Sequence, residues 1–240
     1  MKSIKLDILW LLGLSFLLCS CVKNKTIYFC GNEQNEVYEL LRKEGFKLKV
    51  FDTPDEMVKE AVAGSGAIII SDSYPVTPLD IQPEVYELAK QKKIRLYLEY
   101  PDKLPDLPIQ KETFHASMER GVITCTELTN MKPMDIIGIN DCYTRVAEVD
   151  DPLIVLARVA GFDRAEYGID DVETYPLLCE KDCMLIAFTK LSNFRTGRYE
   201  PVASWQSVWK YIISYITDDP DFTFSTAWPA DVKPTYTCDQ

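Results

Sequence analysis

Ala67-Ile68-Ile69-Ile70, running into Ser71-Asp72-Ser73-Tyr74-Pro75, is the stretch on which the fold turns. Four apolar residues in succession, three of them β-branched, fit a strand covered on both faces; a strand with one wet face would alternate instead. Such a strand needs helices on either side of it. Upstream, residues 54–63 open with Pro54 behind a capping Asp52 or Thr53 and run to Gly64. Downstream, residues 83–92 put Val85, Leu88 and Ala89 on one helical face. Further out, Thr26–Cys30 is a short apolar strand ending at Gly31. Asn32 is placed to cap a helix whose Val37, Leu40 and Leu41 share a face and which Gly45 stops. Lys47–Phe51 alternates charged and apolar residues, and residues 94–98 make a fourth strand, closed by Glu99-Tyr100-Pro101. This rhythm predicts an α/β fold: a mostly parallel, doubly wound sheet with right-handed crossovers. Sheets of that kind hold ligands beyond the carboxyl ends of their strands. Asp72, Ser73, Tyr74, Glu99 and Tyr100 are the residues expected there, beside Cys30, Gly31, Phe51 and Asp52.

The second half has a different texture. Residues 101–108 are a Pro-rich loop. Strands are expected at 122–125, 136–140, 145–149 and 153–159, and residues 175–179 and 183–189 form an antiparallel hairpin added to the sheet. The loop from Lys190 through Arg195 to Arg198 leads into an amphipathic helix, in which Trp205, Val208, Trp209, Ile212 and Ile216 share one face as core. From Asp218 the chain is rich in Pro, Asp and Thr and lacks periodicity. The expected organisation is a leader over residues 1–20, an α/β domain over 21–217, and an irregular tail over 218–240.

That leader has Lys2 and Lys5 ahead of an apolar run over residues 8–18, which is too short to span a bilayer. Leu18-Cys19-Ser20-Cys21 resembles the bacterial lipobox, in which the cysteine becomes the lipid-bearing N-terminus. The resemblance assigns lipidation to Cys21 and implies an exported protein tied to the cell envelope, at the outer membrane, on its periplasmic or surface side. Without residues 1–20 the chain holds 24 basic and 36 acidic residues, a net charge near −12. So acidic a protein repels phosphate backbones, which argues against nucleic acid as a partner. Of the remaining cysteines, Cys179 and Cys183 flank Glu180-Lys181-Asp182 and are the pair best placed for a disulfide. No P-loop, dinucleotide glycine motif or zinc signature occurs, so no cofactor or metal is expected.

From Thr26 to Thr217 the order of elements resembles the flavodoxin-like, class I glutamine amidotransferase-like fold. In that family a Gly-rich turn after the third strand supplies an oxyanion hole. A Gly-x-Cys-x-Gly elbow after the fourth carries the nucleophile, and a His and a Glu follow later. Here the first position reads Ser71-Asp72-Ser73-Tyr74-Pro75, and the second reads Leu98-Glu99-Tyr100-Pro101. A strained elbow needs small neighbours, and Tyr100 and Pro101 are not small. The sole histidine, His115, comes soon after the elbow position. The resemblance therefore implies a scaffold that has lost amidotransferase chemistry. Residues 185–199, with the Trp-rich helix that follows, are similar to the end of amidotransferase-like modules preceding glycosidase domains in exported carbohydrate-degrading proteins. Residues 226–234 are similar to the linker after such modules. This likeness implies an accessory module, standing alone or cut from a larger enzyme.

Two functions compete. One is a non-catalytic, membrane-anchored module that binds a carbohydrate or a partner glycosidase. Asp72, Ser73, Tyr74, Glu99 and Tyr100 would line its crevice, and Lys190, Arg195 and Arg198 would offer guanidinium and ammonium groups to carboxylates. The other is a glycan hydrolase using Asp72 and Glu99 as its two carboxyl groups. Local pairing and loop capping account for the same residues without any ligand.

Overall fold

The computed structural model describes residues 25–139, 141–192 and 202–225. In chain order they form β1 (Thr26–Cys30), α1 (Glu36–Lys43), β2 (Lys47–Phe51), α2 (Pro54–Glu60), β3 (Gly66–Ile69), α3 (Pro83–Gln91), β4 (Arg95–Glu99), β5 (Ile109–Ala116), β6 (Arg120–Ile123), β7 (Ile136–Ile137), β8 (Cys142–Ala147), β9 (Ile154–Ala157), β10 (Thr174–Lys181), β11 (Met184–Ala187) and α4 (Val202–Thr217).

Nine strands share one mixed sheet in the order β2-β1-β3-β4-β11-β10-β9-β6-β7, while β5 and β8 form a separate antiparallel ribbon. The pairs from β2 to β11 are parallel, and those from β11 to β7 are antiparallel. The fold is thus α/β, as expected, but the sheet is mostly parallel only at one end. The expected hairpin, β10–β11, is the start of an antiparallel half. Once β10 reverses direction, β9 and β6 can join its open edge antiparallel, with no crossover helix between them.

Side-chain alternation along the parallel strands separates two cores. Ile27, Phe29, Ile68, Ile70, Tyr97 and Leu185 face α1 and α4, where Trp205 and Trp209 are buried; the Tyr97 and Trp209 rings meet edge to face at 5.5 Å. Tyr28, Ala67, Ile69, Leu96, Leu98 and Ile186 face α2 and α3. β3 is the doubly covered strand its sequence predicts. Gly66 lets it lie against α4, because a Cβ there would come within 2.0 Å of the Ile216 carbonyl oxygen.

Several local expectations shift. α1 is capped by Asn35, whose Oδ1 accepts from the Val37 N–H at 2.9 Å, while Asn32 closes a short turn onto the Gln34 N–H. α2 ends at Glu60, three residues early, because Lys92 Nζ donates to the Val58 and Ala61 carbonyls and satisfies the end of the helix. β5 reads Ile-Gln-Lys-Glu-Thr-Phe-His-Ala; its faces are mostly wet, so no apolar pattern marked it. Cys179 and Cys183 are both free thiols: Cys179 lies opposite Ile186, with Cys183 in the two-residue turn beyond the Lys181–Met184 pair. That register does not bring the two Cβ atoms together.

Candidate functional site

The carboxyl ends of β1, β3, β4 and β11 open on the same end of the sheet. The strand order diverges between β1 and β3: α1, which follows β1, and α3, which follows β3, pack on opposite faces and part the loops there. The groups gathered at this end come from Asn35, the loop from Ser71 to Pro75, Glu99 with Tyr100, and the segment from Phe188 to Ser192.

Glu99 is the last residue of β4 and is wholly buried. Its Oε1 accepts from the Tyr97 hydroxyl at 2.8 Å and from the Leu191 N–H at 3.0 Å, and its Oε2 accepts from the Ser192 hydroxyl at 2.8 Å. Asn35 Nδ2 donates to Ser192 Oγ at 3.0 Å, tying the carboxyl cluster to the start of α1. Burial pushes the Glu99 carboxyl up to about 7, against the Lys190 charge and the hydrogen bonds from Ser192 and Tyr97, which pull the other way. Lys190 also donates to the Ser71 carbonyl at 3.0 Å, so β3, β4 and the segment after β11 are laced together.

Tyr100 follows at a φ of 50°, in the left-handed region, with its side chain only 1 % exposed. The Tyr74 ring meets it edge to face at 4.9 Å, and the Arg145 guanidinium lies over its ring at 5.9 Å. The Tyr74 hydroxyl accepts from the Tyr143 N–H at 2.7 Å and lies 3.2 Å from Thr189 Oγ1. Tyr74 and Tyr100 therefore join the parallel half of the sheet to the β5–β8 ribbon. Arg145 strengthens that joint: it is nearly buried and donates to the Gln110 carbonyl at 2.9 Å and to Asp102 at 3.4 Å.

Asp72 and Ser73 are exposed. Among the expected crevice residues, the structure thus brings Glu99, Tyr100, Tyr74 and Lys190 into one packed cluster and leaves Asp72 and Ser73 on its rim. Arg195, Arg198 and Cys21 lie outside the described residues, as do the leader and the tail beyond residue 225.

The described cysteines are poorly disposed to act as nucleophiles. Burial, then the carboxylates of Asp72, Asp52 and Glu56, push the Cys30 thiol up to about 12. Burial likewise raises Cys125, Cys179 and Cys183. A reactive cysteine needs the opposite shift. His115 stacks on Tyr143 with ring centroids 4.5 Å apart and places Nε2 2.7 Å from Asp141. Cys142 sits opposite Ala116, one residue out of step with His115, so the pleat turns the two side chains to opposite faces. Among the described residues, no group of three or more His, Cys, Asp or Glu side chains is placed to hold a metal ion.

Asn35, Tyr97, Tyr143, Arg145, Thr189 and Ser192 join the cluster without having been singled out in the sequence. Asn35 carried a usable signal, an Asn directly before Glu36 and an apolar helical face. Tyr97 reaches Glu99 from two residues earlier in β4, and the rest act across as many as 157 residues of chain, where no local pattern encodes the pairing. No protein-family model matches the chain, and a search of curated proteins finds no match to it.

Proposed function

We propose that this chain is a non-catalytic binding module of the cell envelope. In this reading a lipid on Cys21 tethers an amidotransferase-like scaffold, which engages a carbohydrate or a partner glycosidase during extracellular glycan breakdown. The observation that carries the reading is Tyr100. The residue after the fourth strand keeps the left-handed backbone of an elbow, but its side chain turns inward beneath Tyr74 and Arg145. An attacking group in that place must be exposed to its substrate, and Tyr100 is buried. Glu99 is similarly disposed, with three donors on its two oxygens and no exposed surface, whereas a glycosidase carboxyl has to reach the bond it cleaves. Asp72 and Ser73 on the rim remain able to accept hydroxyl protons.

The test is a binding and turnover panel on the full, lipidated chain in detergent. Native gels cast with individual polysaccharides report retention, and the same mixtures are assayed for new reducing ends. Retention by at least one glycan with no release of reducing ends is the expected result. Release that vanishes in Asp72→Asn or Glu99→Gln would replace this reading with the hydrolase. A panel with neither retention nor release would remove the carbohydrate from it.

A further inference from the structure

The outward side of α4 is not an ordinary wet helix face. From Ser204 to Tyr215 every position is buried or half-buried, because residues 127–130 and 218–224 flank the helix. Two hollows lie along it. One, of about 320 Å³, has Asn130, Gln206, Thr223 and Phe224 in its walls; the next, of about 470 Å³, has Thr129, Tyr211, Ser214 and Tyr215. Lys210 lines both, and Thr129 and Asn130 are consecutive, so the hollows are two parts of one groove that follows a helix about 24 Å long.

The walls are held in place by the protein itself. Leu128 is buried in the core, and the Met131 N–H closes on its carbonyl at 3.2 Å. Tyr211 and Tyr215 are neighbours on one helix face, partly buried against the same core, and the Tyr211 hydroxyl donates to Glu180 at 3.2 Å. Phe224 meets Phe222 edge to face at 5.1 Å, and Ser225 beyond it donates to Glu44 from both its N–H and its hydroxyl. By contrast, the side chains of Asn130, Gln206, Lys210, Ser214 and Tyr215 make no hydrogen bond to other described residues. The groove thus combines anchored rings with polar groups that are free to take a ligand.

Charge and backbone narrow the occupant. Arg95 and Asp218 pair at 3.6 Å, which leaves Lys210 to set against Glu127 and Asp219, a near balance on a chain of net charge −11. Such a lining draws neither a polyanion nor a polycation. Among the described residues Arg95 is the only strand residue in the groove, and β4 is an interior strand, so an extended peptide would find no strand edge to pair with its backbone. An apolar helix would bury side-chain amides and hydroxyls that it cannot satisfy. A sugar chain meets each condition: its C–H faces pack on the tyrosine rings, its hydroxyls exchange hydrogen bonds with Asn130, Gln206, Ser214 and Lys210, and the hollows have the size of small-ligand sites. We infer that the groove between α4 and residues 127–130 binds a neutral glycan chain, separate from the crevice. This inference rests on the binding-module reading and names the surface that carries it.

The test uses the full chain in native gels containing neutral polysaccharides (a starch, a xylan, a mannan, a β-glucan) and anionic ones (a polygalacturonate, a chondroitin sulfate). Retention by a neutral glycan should weaken about tenfold or more in Tyr215→Ala, the scale of losing an aromatic anchor. Tyr215→Phe, which keeps the ring, should retain most of it. Because Tyr215 also packs on the core, Ser214→Arg gives a second reading: it keeps a good helix former on the half-buried outward face and fills the larger hollow, so it should weaken retention to the same degree with unchanged melting. Undiminished retention in Ser214→Arg, or retention that is lost in Asp72→Ala and kept in Ser214→Arg, overturns this inference and leaves the binding-module reading standing. Retention by anionic glycans alone also overturns it. If the unaltered chain is retained by nothing, the carbohydrate reading falls and takes this groove with it.

Discussion

Glu99 holds the candidate site together, and its ionisation should be visible in stability. A carboxyl raised from 4.5 to about 7 binds its proton more tightly folded than unfolded. Its contribution is complete below pH 4.5 and is lost as pH rises through 7, amounting to on the order of 3 kcal/mol. Urea unfolding across pH 4.5 to 8 should therefore show stability falling through that window. In Glu99→Gln, which keeps an acceptor for Tyr97 and Leu191 and cannot ionise, that component should vanish. An identical pH profile for the two proteins would mean that Glu99 is not the titrating group. The position of Glu99 at a strand's carboxyl end was readable from strand spacing alone. Its burial was not, because the Leu191 and Ser192 donors lie more than ninety residues away. Tyr100 was legible as an obstacle by its bulk, though only the fold shows the ring turned inward.

Elements with strong apolar signals were the most legible. β1 and β2 fall where their patterns put them, and the Trp-rich face of α4 is core, because the 3.6-residue period fixes which side is buried. Trp209→Ala should cost about 3–5 kcal/mol in urea unfolding, the usual loss for a large buried aromatic. A cost below 1 kcal/mol would mean that α4 does not seat on the sheet as described. Gly66 makes a second test of the same contact. A methyl group there meets backbone, not a side chain that could move, so Gly66→Ala should destabilise by about 1–3 kcal/mol or more. Elements governed by distant partners were harder to read. The wet ribbon strand β5 has no apolar period, and α2 stops where Lys92, from another element, satisfies its carbonyls.

At the scale of the whole molecule, the strand–helix alternation of the first hundred residues gives the parallel half directly, since crossover geometry leaves few other topologies. The antiparallel half depends on which edge later strands join, a choice made by packing and not by local pattern. The proposed membrane attachment belongs to this scale too. Radiolabelled palmitate should enter the chain in a bacterial host and disappear in Cys21→Ala, with the variant moving out of the membrane fraction; label surviving the substitution would place the lipid elsewhere. The central claim is that the end of the fourth strand is occupied by a buried tyrosine and offers no attacking group. Intact-mass spectrometry after exposing the folded full chain at pH 7 to an electrophilic glutamine analogue tests it most directly, with the urea-unfolded chain as the reactive control. With adducts located by peptide mapping, the account predicts none on Cys30, Cys125, Cys142, Cys179 or Cys183 of the folded chain and adducts there only after unfolding. A stoichiometric adduct on Cys30 or another of these five thiols in the folded chain, abolished by substituting that cysteine, would contradict it.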